Sequence, residues 1–161
     1  MRKILILLFF CVLSADCRFV NKNSRKVTYN DSKTWKMFNM TAAVYDTDVY
    51  VIISEDTLQA LMFLRSFLQD TSLVTKDLDV KGVVFSNPGH PPVMWIPKIP
   101  RTPEEMGVVA HEMFHLVACI MDYVNIPLDD SSEEAYAYMY SHLNEQFWTK
   151  IEEYKKDTNI P

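Results

Sequence analysis

Glycine is scarce in this chain, three residues in 161, and no segment repeats or falls into low complexity. With eight prolines and a hydrophobic fraction of 48%, the composition excludes fibrous and disordered chains and describes an ordinary globular protein. Cysteine is equally sparse. Cys11, Cys17 and Cys119 make no disulfide framework, and Cys11 lies inside a hydrophobic leader. Positive charge is missing from most of the chain: residues 39–161 hold eight Lys or Arg against nineteen Asp or Glu. Residues 18–38 reverse the balance, with six basic side chains and the single acid Asp31. So acidic a body repels phosphate backbones, which argues against nucleic acid as a substrate despite the basic arm. The length suits one domain with a real core.

A run long enough to span a bilayer is also absent. Met1-Arg-Lys3 followed by the apolar stretch Ile4–Ala15 has the positive start and short hydrophobic core of a secretory signal, with cleavage after Ala15. Leu13 is bulkier than the small residue usually found at the −3 position. Lipid attachment at Cys17 is disfavoured by Asp16 before it. A genuine leader implies export or membrane association through that segment alone. Without it, with the chain starting at Met37 or Met40, the protein is cytoplasmic. The expected organisation is a signal over residues 1–15, a basic, turn-rich linker over 16–38 and a catalytic domain over 39–161, acting as a monomer.

What the chain does have is a strong helix carrying histidines. Thr102-Pro103-Glu104-Glu105 supplies an N-cap, a proline at the first helical position and a glutamate at N3, a capping box. Met106–Val124 follows, apolar on nearly every side and interrupted by His111, Glu112, His115 and Asp122. A helix apolar all round is buried. Within it stands His111-Glu-Met-Phe-His115. Histidines four apart lie about 40° apart around a helix, so both imidazoles reach one ion from one face, and Glu112 points beside it. Two neutral nitrogens and a carboxylate suit Zn²⁺ with an open coordination position. Burial of these groups without partners costs several kcal/mol, which a metal offsets. The alternative is a core helix whose histidines and glutamate only hydrogen-bond to neighbours. Cys119 shares the histidine stripe but sits a full turn further along the axis, and reads as a buried thiol.

Around that helix the pattern predicts an α+β domain. Thr41–Ile53 is rich in β-branched and aromatic residues, suited to two short strands about Asp46. Ser54-Glu-Asp then opens a helix whose stripe is Leu58, Leu61, Leu64 and Leu68, widened by Met62, Phe63 and Phe67. Lys81–Phe85 and Pro92–Ile96 form a hairpin across a wide turn holding His90, which reads as a loop residue. The prolines flanking the second strand predict an edge strand, able to hold an extended peptide beside the metal site. After the stop at Asn125-Ile-Pro127, a last helix spans about Glu133–Tyr154, with Asp130 as N-cap and Glu133 at N3. Glu134 is then free to be the third ligand, with Ala137 and Tyr138 on its face. A one-residue shift of the helix start gives Glu133 that role instead. Tyr136, Tyr138 and His142 are candidate donors to a developing oxyanion.

At His111-Glu-Met-Phe-His115 followed by Glu134, the chain resembles the zincin metallopeptidases, in the branch whose third ligand is a glutamate on a later helix. Thr102-Pro-Glu-Glu and Glu133-Glu-Ala-Tyr-Ala-Tyr138 are similar to small single-domain zincins of phages and bacteria. The resemblance covers roughly residues 41–154. It implies a small sheet whose edge strand packs on an active-site helix, followed by a ligand helix. It also implies zinc held by His111, His115 and Glu134, and hydrolysis of a peptide or protein substrate with Glu112 as general base. The metzincin branch is excluded, because it needs glycine at position 118 and histidine at position 121, where this chain has Ala118 and Met121. Asp122 either orients an imidazole or is a solvated acid at the helix end.

Overall fold

The computed structural model describes residues 35–157. The leader, Cys11, Cys17 and most of the basic arm lie outside the described residues. A four-stranded sheet in the order β1-β2-β4-β3 forms the middle layer. Its strands are β1 (Trp35–Ala42), β2 (Thr47–Ser54), β3 (Val83–Phe85) and β4 (Val93–Ile96). The β1–β2 and β3–β4 pairs are antiparallel, while β2 and β4 run parallel. On one side lies α1 (Thr57–Leu68); on the other lie α2 (Pro103–Tyr123) and α3 (Glu133–Asp157). The architecture is α+β, as the sequence pattern predicts.

Alternation along the strands explains the three layers. Phe38 and Met40 on β1, Val49, Val51 and Ile53 on β2, and Met94 and Ile96 on β4 face α2 and α3. Their neighbours Trp35, Ile52, Val93 and Trp95 face α1. Side chains of period two thus feed two cores from one sheet. The α3 contribution is a stripe at helical spacing, Tyr136, Met139, Leu143, Phe147 and Ile151.

Four details depart from the sequence reading. The sheet begins at Trp35, 3% exposed, so residues 35–38 belong to the folded body and not to the linker; Met37 and Met40 are both inside β1. Second, α1 is capped by Asp56, whose side chain accepts from the Gln59 N–H, and its buried face is Ala60, Leu61, Phe63, Leu64 and Leu68. Leu58 and Met62 are 62% and 72% exposed, so the stripe is rotated toward Ala60 and Phe63. Third, β4 is interior, between β2 and β3. Its prolines bound the four-residue ladder without entering it, and the Pro92 carbonyl even accepts from the Tyr50 N–H at 3.0 Å. All four residues of Val93–Ile96 are buried, the signature of a strand covered on both faces. The edge strand on the α2 side is β3.

Fourth, the turn leading into α3 is closed by Asp129 and not by Asp130. The Asp129 carboxylate accepts from the N–H groups of Ser131 and Ser132, and Ser132 Oγ accepts from the Asp129 N–H. This reciprocal pair closes the turn just before α3 through Asp129, with no side-chain part for Asp130 or Glu133. The α2 cap matches the sequence. Thr102 and Glu105 form the box, with Glu105 accepting from Thr102 and Arg101 N–H groups at 3.0 and 2.7 Å.

The α2 cap carries a pH prediction. Lys98, 2.7 Å away, and those two backbone donors hold the Glu105 carboxyl down at about 2. A carboxyl whose folded pKa is depressed stabilises the fold above its unfolded value, and the contribution is lost as pH falls toward the folded one. Glu105→Gln should therefore lower Tm at pH 7, with the gap to the unmodified protein closing between about pH 4.5 and pH 2. A gap unchanged at pH 3 and pH 7 refutes a charge-dependent cap.

Candidate functional site

The capping box sets the start of α2, and helical spacing then places the motif. His111 and His115 turn the same way, their Nε2 atoms 3.0 Å apart and their rings edge to face with centroids at 4.7 Å. Two nitrogens at that separation could both be held by one ion at ~2.0–2.1 Å from each. The donor pair fits zinc.

The surroundings differ from the all-buried helix that the sequence suggests. Both histidines are exposed, and Phe114 between them is 47% exposed. Both imidazoles are open to solvent and stand within hydrogen-bonding distance of each other, so the desolvation argument for a metal does not hold for them. Their pairing geometry carries the case instead. The sequence misleads here because α2 packs the sheet and α3 with Val109, Met113, Leu116, Val117, Ile120 and Met121, and its remaining face stays open.

Glu112 is the buried member, 7% exposed, on the side of the helix toward β3. Burial pushes its carboxyl above the ordinary range; the neighbouring His111, His115 and the Val84 backbone N–H act the other way and favour its ionised form. A carboxylate shifted upward is a better proton acceptor near neutral pH. Its location against the edge strand was not foreseen. The available signal was the glycine in Lys81-Gly-Val-Val, since glycine at a strand marks close approach of another element.

Glu134 is exposed on the first turn of α3. Among the described residues no three of His, Cys, Asp and Glu are grouped as a metal set, so Glu134 is not drawn up to His111 and His115. Neither the Glu133 nor the Glu134 side chain takes part in the Asp129–Ser132 turn, and the elimination that favoured Glu134 loses its first premise. Asp122 is exposed in the last turn of α2. Two oxyanion candidates have other partners: the Tyr136 hydroxyl donates to the Ile126 carbonyl at 2.9 Å, and His142 Nε2 is 3.2 Å from the Thr41 carbonyl on β1. Tyr138 is 75% exposed. Cys119 is half-buried and shares a small recess with His90 and Tyr123, away from the histidine pair.

A cleft of about 360 Å³ opens over His111, Glu112, Gly82 and Gly107. Through Lys81, Glu104 and Val108 it adjoins a second cavity of about 350 Å³ with an apolar floor of Ile96, Pro97, Pro100 and Val109. Lys81 and Glu104 form an ion pair at the boundary. No family model matches the chain, and neither a curated protein nor a solved structure matches it.

Proposed function

We propose that the chain is a zinc-dependent metallopeptidase of the zincin type, acting on a peptide or protein substrate. The observation that carries this reading is the 3.0 Å pairing of the His111 and His115 nitrogens next to a buried carboxylate in an open cleft. His111 and His115 hold the ion. Glu134, unengaged and on a helix that packs against α2, supplies the third ligand from α3, with Glu133 its rival. Zinc supplies Lewis acidity toward a carbonyl oxygen and acidifies water. Glu112 accepts the proton of the attacking water at its carboxylate and returns it to the departing amine nitrogen as the C–N bond breaks. An exported enzyme requires the leader at residues 1–15. Among the described residues no helix is long and apolar enough to cross a membrane.

A second reading is a zinc-binding regulatory or interaction module that keeps the ligands without turnover, and the intact Glu112 argues against it. Metal titration tests the site that both readings share. The unmodified protein should bind about one zinc per chain, and His111→Ala or His115→Ala should abolish stoichiometric binding. Glu134→Ala should collapse affinity while Glu133→Ala retains it. Full zinc in His111→Ala places the site elsewhere, and the opposite result at the two glutamates moves the third ligand by one residue.

A further inference from the structure

The three glycines are not alike. Gly89 has a positive φ of 84° in the hairpin turn, where the backbone itself asks for glycine. Gly107 has nothing within 4 Å of the place a Cβ would take. Gly82, at the foot of β3, has no positive φ, yet a Cβ there would stand 2.9 Å from Glu112 Cγ, 3.0 Å from Val108 Cγ1 and 3.5 Å from Ile96 Cγ2. Space, and not backbone conformation, demands glycine at this position.

We infer that Gly82 is a positioning residue for Glu112: by presenting no side chain, it lets the edge strand close on α2 and leaves the rotamer that aims the carboxylate into the cleft. The inference rests on Glu112 being the base. The crowded atom decides the consequence. Cγ is the first atom past Cβ, so its place is set by χ1 alone, and a helix leaves a glutamate only two common χ1 wells. Pushing Cγ aside by rotation therefore exchanges one well for another and carries the carboxylate several ångströms with it. The alternative response, retreat of β3, removes the strand from the same carboxylate. Val84, two residues further along, directs its backbone N–H at Glu112, so β3 meets both the stem and the head of this side chain.

The test uses the whole chain, first without metal. Gly82→Ala should lower Tm in the unmodified background, and the loss should shrink in Glu112→Ala, where Cγ is gone. Gly107→Ala is the control, with no coupling to Glu112→Ala. If Gly82→Ala does not fold alone, recovery of a folded protein on adding Glu112→Ala is the same result. Equal losses in both backgrounds overturn the contact.

Zinc-loaded protein supplies the second arm. Gly82→Ala should keep the zinc content and lose roughly tenfold or more in kcat for a peptide found by library screening, with KM changed far less. Unchanged kcat at full zinc overturns the positioning role. Thermal coupling combined with no cleavage by the unmodified protein overturns the peptidase reading and supports the Gly82–Glu112 contact, so the two failures are distinguishable.

Discussion

Glu112→Gln is expected to retain zinc and to hydrolyse peptide roughly 10²–10⁴-fold more slowly than the unmodified chain. Glutamine preserves the length and hydrogen-bonding reach of the side chain and removes only its ability to take a proton. The substitution also replaces a charge that burial disfavours with a neutral amide, so the fold has no electrostatic reason to fail. Zinc content and cleavage rate measured near pH 7 on the same preparations decide the matter. Equal rates at equal zinc remove the peptidase and leave the metal-binding module.

Phe147→Ala should unfold the protein more readily than any surface change, by about 3–5 kcal/mol. Phe147 is fully buried on α3, with ring contacts to Phe38 of β1 at 5.9 Å and to Trp148 of its own helix at 5.1 Å. It lies in the cluster where β1, α2 and α3 meet. Against a total of about 5–15 kcal/mol for a folded domain, the loss is large, and Tm should fall on the order of 10–20 °C. Zinc affinity should weaken with it if Glu134 on α3 is a ligand. A Tm shift below about 2 °C means that α3 is not docked as described.

Much of this was legible in the sequence because local chemistry and tertiary structure agree. The Thr102-Pro-Glu-Glu cap specifies α2 without reference to the rest of the chain, and the four-residue spacing of His111 and His115 fixes their pairing once α2 exists. The α1 stripe was misphased because Leu58 and Met62 are apolar yet face solvent, while the small Ala60 is fully buried. The position of β4 was misjudged from its prolines. A run of four buried apolar residues says more about a strand's place than the residues bounding it. Exposure of the histidines was not readable at all, since an α2 that is apolar nearly all round does not tell which of its faces packs on the sheet and α3. The turn into α3 hinged on one residue, Asp129 against Asp130, which side-chain preference does not separate.

The far border of the sheet has a consequence for association. Gln146 on α3 grips both main-chain groups of Thr41, accepting from its N–H and donating to its carbonyl, while the Tyr154 hydroxyl donates to the Met37 carbonyl. These side chains occupy the hydrogen-bonding positions on β1 that a further strand would need. Among the described residues, a strand added at β1 would first have to displace these contacts. Loosening the grip of Gln146 and Tyr154 would free the Thr41 and Met37 main-chain groups for such a strand.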